Sequence, residues 1–242
     1  MKGELCTEDE MRHRMRSFLI SLCVVIPSSI ALSIAQGQTV SPTHVTEFPR
    51  FRLIPGNIDS DGLPTSGAKL CLLEPANDCY QMPSNTGYSS GSVVYSYGLD
   101  PRSERLSLKS GGSLAFFSAQ FSGRGSGTLD SLAILRYEND GEIVNLLPFV
   151  GLTNQSERAA WFIPASSFPI LVTADFVWMK GETHFATHFY TVAAYLFDIK
   201  NDRYAKAFSY QTSKKYPGLD QVNQVRVLNP EREEILRRLQ KF

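Results

Sequence analysis

The sequence predicts an all-β protein, an antiparallel sandwich or barrel-like fold built from hairpins, with one α-helix at the C-terminus. Three observations carry this expectation. Short runs rich in Val, Ile, Tyr, Phe and Ser recur between clusters of Gly, Ser, Asn and Asp. Side chains alternate in Leu106-Ser107-Leu108 and from Ala115 to Phe121, as on a pleated strand. A convincing helical period is found only after Asn229.

In chain order, strands are expected near 50–54, 69–74, 79–82, 92–97, 104–109, 113–121, 129–137, 142–147, 158–163, 169–178, 183–197 and 203–212. Ser110-Gly111-Gly112 and Asn139-Asp140-Gly141 read as hairpin loops, the second because Asp-Gly supplies the positive φ angles that tight turns require. Hairpins near residues 76, 140 and 200 share almost no sequence, so a sandwich explains them better than a repeat array. The run from Phe189 to Phe197 is apolar on both faces, which marks a central strand covered above and below. Its partner, Arg203 to Thr212, alternates with Tyr204, Phe208 and Tyr210 on one face. Lys214-Lys215-Tyr216-Pro217-Gly218 then makes a turn, with Pro-Gly suited to type II geometry.

The expected helix covers 230–241. Asn229 can cap it, Pro230 suits its first turn, and Glu231, Glu233 and Glu234 lie at its positive end. Arg237, Arg238 and Lys241 lie at its negative end, and Glu233 with Arg237 and Glu234 with Arg238 are spaced as i,i+4 pairs. Ile235, Leu236, Leu239 and Phe242 make one apolar stripe that should dock on the β core.

Composition bounds the function. With 242 residues, 43% of them apolar and 20% charged, the chain can bury a sizeable core. A formal net charge of zero gives no indication of nucleic-acid binding through a basic fold. Residues 200–242 carry ten Lys and Arg against five acids, whereas residues 38–199 carry ten against fifteen; a solvated helix face and hairpin account for this asymmetry.

Residues 1–37 read as a leader and 38–242 as a single mainly-β domain. Ser17 to Ala35 is an uncharged apolar run behind Arg12, Arg14 and Arg16, and small residues around Ala35 suit signal-peptidase cleavage. The acidic stretch before Met11 is unusual for such a leader, and Met11 or Met15 would make a more ordinary start. The alternative is an uncleaved membrane anchor over residues 17–35, against which Pro27 and the Ser-rich second half argue. Cys6 and Cys23 lie in the leader. Cys71 and Cys79, in KLCLLEPANDCYQMP, flank a turn signal and are expected to form a disulfide in an oxidising compartment.

Several motifs fail their own structural tests. Asn57 to Gly62 resembles half of a calcium loop, but its twelfth position is Ala68, so an Asx-rich turn is the better reading. Gly87-Tyr88-Ser89-Ser90-Gly91 fits G-x-S-x-G, but a strand follows it where a nucleophile elbow needs a helix. The Gly-rich stretch 122–127 lacks the Lys-Ser/Thr pair of a phosphate loop. Asn154-Gln155-Ser156 is a glycosylation sequon.

The strongest candidate site is the hairpin 175–188. If Lys180-Gly181 is a two-residue tip, Asp175 faces Ala186 with His184 and His188 as diagonal neighbours, and Glu182 lies further along. Asp175, Glu182, His184 and His188 can then hold a divalent transition metal ion such as zinc. An exposed polar strand face explains the same residues, and a one-residue slip disperses them. In that register Trp178 points to the core, which argues against its use with Tyr190 and Tyr216 as sugar-stacking platforms. The expected protein is therefore secreted or periplasmic, a binding or structural module of the cell envelope or exterior with no required cofactor. Its expected partner is an envelope component or carbohydrate, or a membrane if the leader stays in place. The alternative is a metal-dependent or carbohydrate-active hydrolase, with Asp175 and Glu182 as the carboxylate pair.

Overall fold

The computed structural model describes residues 45–57, 59–60, 65–74, 78–82, 101–122, 128–148, 150–153, 156–164, 166–183, 186–217 and 226–242, all within one compact unit, Ser41–Phe242. The expected leader, the strand at 92–97, the Ser89 motif, most of the 122–127 loop and the Asn154 sequon lie outside the described residues.

The described strands form three open antiparallel sheets. The first contains β1 (Phe51–Ile54), β2 (Lys69–Leu72) and β3 (Cys79–Gln81), in the order β1-β2-β3. The second contains β4 (Arg102–Ser107), β5 (Ser113–Ser122), β6 (Thr128–Tyr137) and β7 (Ile143–Asn145) in that order, with β8 (Val150–Thr153) on the other half of β6. The third contains β9 (Glu157–Trp161), β10 (Ile170–Val177), β11 (Phe189–Asp198) and β12 (Arg203–Gln211), in the order β12-β11-β10-β9. The helix α1 spans Arg232–Leu239.

These layers stack as sheet, sheet, sheet and helix, with a core between each pair. Phe48, Leu70, Leu72 and Met82 from the first sheet and its flanks meet Ala115, Phe117, Ala133 and Leu135 of the second. The opposite face of the second sheet, with Leu114, Phe116, Leu132 and Ile134, packs on Leu171, Ala193, Tyr195 and Tyr204 of the third. The remaining face of the third sheet, with Val172, Ala174, Tyr190 and Val192, receives Val227, Leu228, Ile235 and Leu239. Both middle sheets are therefore buried on two faces, which is why β10 and β11 read as nearly continuous apolar runs. The three similar hairpins also find their explanation here, since each sheet contains one.

Among the described residues, ion pairs from Arg158 and Arg136 cross between the second and third sheets. Arg158 of β9 reaches Asp130 at 2.6 Å and Ser118 Oγ at 2.8 Å. The buried Arg136 of β6 grips Asp202, in the β11–β12 turn, at 2.7 and 2.5 Å and also donates to Glu138. Such bidentate guanidinium–carboxylate contacts fix geometry as well as charge.

Several expectations need correction. The strand expected over 183–197 begins only at Phe189, and β8 was not foreseen because Val150-Gly151-Leu152-Thr153 is short and contains a glycine. In the loop after β6 the positive φ belongs to Gly141 alone, at 96°, so the turn needs one glycine and no left-handed Asp140. Gly112 is required on two counts: its φ is 80°, and a Cβ there would run into the Val45 carbonyl. The N-cap position falls on Glu231, not Asn229, and its side chain makes no capping hydrogen bond, while Glu234 takes both Arg237 and Arg238, at 2.7 Å each. The apolar stripe docks through Ile235 and Leu239, while Phe242 stays exposed and only stacks on Phe208. Cys71 and Cys79 are directly paired across β2 and β3 and form the expected disulfide. Among the described residues no helix is long and apolar enough to cross a membrane.

Candidate functional site

The register of β10 and β11 decides the geometry of the candidate site. The ladder matches Thr173 with Ala193, Asp175 with Thr191 and Val177 with Phe189. The assumed two-residue hairpin would instead have set Thr173 against His188, forcing an imidazole into the buried centre of the sheet, where Thr173 is 2% exposed. The apolar run beginning at Phe189 fills that place, and the connection lengthens to 178–188. The shift is an odd number of residues, so side chains expected on one face lie on the other.

Within the connection, Glu182 N–H donates to the Met179 carbonyl at 3.1 Å, closing a turn over Lys180-Gly181 with Gly181 at φ 84°. A second turn follows, in which Ala186 N–H donates to the Thr183 carbonyl at 3.0 Å. The chain returns to the sheet at His188, whose backbone exchanges two 2.8 Å hydrogen bonds with Tyr216. The His188 ring is fully buried and packs against Phe176 and Trp178, with centroids 4.8 and 5.7 Å away.

Of the expected cluster, the structure brings together Glu182 and His188. His188 Nδ1 lies 2.9 Å from Glu182 Oε2, which also accepts the Met179 N–H at 3.2 Å, while Lys215 Nζ donates to Oε1 at 2.6 Å. A carboxylate only accepts, so the Nδ1 facing it carries a proton, and Nε2 is buried without a hydrogen-bond partner among the described residues. Asp175 falls on the face opposite Phe176 and is separated from the imidazole. His184 lies outside the described residues, and among those described no three His, Cys, Asp or Glu side chains converge to hold a metal. The sealed Nε2 is not placed to take a proton from a substrate in solvent.

The Lys215 hydrogen bond is the main cause holding the Glu182 carboxyl below its ordinary 4.5; burial opposes it, and the bonds from His188 and Met179 assist. A carboxylate depressed in this way contributes stability that is complete above its unfolded pKa and is lost as pH falls through the lower folded value. Below about pH 4.5 the thermal midpoint is expected to drop with acidification, and Lys215→Gln to flatten part of that drop. Identical slopes for the two proteins in thermal melts would remove this pair from the acid response.

The aromatics separate into two groups. Tyr190 and Tyr216 are buried, and burial pushes the Tyr190 phenol up to about 12, with help from the charge of Glu157. Tyr216 and Tyr210 donate to Glu231 at 2.5 and 2.8 Å, and burial together with that carboxylate raises both phenols. Trp178, in contrast, is 48% exposed beside Met179 at 49%, which reverses its expected core orientation. Lys215 and Glu231 were missed as partners because their contacts arise only when the 214–216 turn and the helix fold back on the third sheet. No family model, curated protein or solved structure matches the chain.

Proposed function

We propose that the chain is an exported binding or structural module of the cell envelope or exterior that meets an envelope carbohydrate through the turn at Trp178, Met179 and Lys180. The observation that carries this reading is the paired exposure of Trp178 and Met179 on a turn braced from beneath by Glu182, His188 and Lys215. Phe176 and His188 hold the indole edge to face, so little rotamer freedom remains to be lost when a flat apolar sugar face stacks on it. Export is supported by the leader-like residues 1–37 and by a disulfide of the kind that persists in oxidising compartments.

The hydrolase alternative gains less support, since His188 Nε2 is sealed and Asp175 lies on the other face. Purified protein should be retained on insoluble envelope polysaccharides such as peptidoglycan, and Trp178→Ala should lose that retention while remaining folded by circular dichroism. Equal retention of the variant would contradict the assigned surface. Release of soluble sugar by the wild type would favour the hydrolase. For export, mass spectrometry should find a mature N-terminus near Gln36 or Gln38; a full-length membrane-bound chain would contradict it.

A further inference from the structure

The outer face of the first sheet carries chemistry that the Trp178 turn does not use. Alternation along β2 sends Leu70 and Leu72 into the core and turns Lys69 and Cys71 outward. In the ladder Arg52 pairs with Cys71, and Cys71 with Cys79, so the guanidinium-bearing residue and the disulfide share that face. Lys69 is the diagonal neighbour of Arg52, about 7 Å away between Cβ atoms. These residues line a cleft of about 450 Å³, walled on its apolar side by Ile54 and Leu73. Among the described residues Arg52 and Lys69 are the only charged ones lining it, and neither side chain has a hydrogen-bond or ion-pair partner there. Asp78, the acid next to Cys79, does not line the cleft. Cys79 is exposed, whereas Cys71 is buried at the cleft floor.

We propose that the Cys71–Cys79 disulfide is a thiol–disulfide exchange site for small anionic thiols, steered by Arg52 and Lys69. An anionic thiol enters as its thiolate, and its sulfur attacks Cys79 Sγ. The Sγ–Sγ bond breaks, and its electron pair leaves on Cys71 Sγ. The products are a mixed disulfide on Cys79 and a Cys71 thiolate, which the positive charge of Arg52 across the ladder stabilises as a leaving group. A second thiolate attacks the outer sulfur of the mixed disulfide and releases the oxidised small-molecule disulfide. Cys71 and Cys79 then take up two protons, so one protein disulfide and two thiols give one dithiol and one small disulfide.

The test measures reduction of the native full chain by glutathione, which is anionic, by neutral 2-mercaptoethanol and by cationic cysteamine, with alkylation and mass spectrometry as the readout. Comparing the glutathione-to-cysteamine rate ratio between protein variants cancels each thiol's own reactivity. That ratio is expected to fall about threefold for each cation removed in Arg52→Gln and Lys69→Gln at low salt, and to shrink in the wild type at high salt. Arg52→Lys should preserve it. An unchanged ratio in the double variant would overturn the proposal. So would a native disulfide that resists all three thiols while the urea-unfolded chain reacts.

Discussion

Phe117→Ala is expected to lower the unfolding free energy by about 3–5 kcal/mol, measured by urea denaturation. Phe117 is fully buried between the first and second sheets, with Leu70, Leu72 and Met82 in the same core and Tyr80 edge to face at 6.5 Å. Truncation removes the ring's burial and leaves a cavity that two sheets, each held by its own ladders, can only partly close. A loss below about 1 kcal/mol would mean that the first sheet is not packed on the second, and the stacked architecture would fail at that interface.

Glu157→Ala is expected to cost about 2–3 kcal/mol and to detach the segment leading into the helix. The Glu157 carboxylate accepts three consecutive backbone N–H groups, from Arg226 at 2.6 Å, Val227 at 2.9 Å and Leu228 at 3.0 Å. Val227 and Leu228 are fully buried, so their amides have little access to water once the carboxylate is gone. Glu157→Gln should recover only part of the loss, because its amide nitrogen presents donors to donors. Hydrogen exchange provides the local readout: the amides of residues 226–228 should exchange faster in Glu157→Ala. Unchanged protection there would show that the segment is held by packing alone.

The fold was legible wherever the sequence repeats a pattern. Period-two alternation located most strands, and the two-faced apolarity of Phe189 to Phe197 identified a central strand, because burial on both sides leaves no room for polar residues. The helix stripe foretold its docking. What alternation does not encode is register: Lys180-Gly181 does form a turn, yet the ladder closes five residues later on the β11 side than a tight hairpin requires. That shift moved His188 to the Phe176 face, away from Asp175, and left Trp178 half exposed just past the ladder. The Glu157 grip and the Arg136–Asp202 and Arg158–Asp130 pairs were illegible because their partners lie far apart in sequence and meet only when the layers stack. The Glu182–His188 contact was half legible, since the residue types were right and the assumed face was wrong.

The most direct measurement of the proposed binding surface is the fluorescence of Trp178 in a Trp161→Phe background. Trp161 is half-buried and covered by the Arg232 guanidinium at 4.8 Å, so its removal leaves the exposed indole as the sole tryptophan reporter. Titration with soluble peptidoglycan fragments is expected to shift the emission to the blue and to saturate, and Met179→Ser should weaken the apparent affinity. Emission that stays at the wavelength of a solvated indole throughout, while the protein is still retained on the insoluble polysaccharide, would show that the contact surface lies elsewhere.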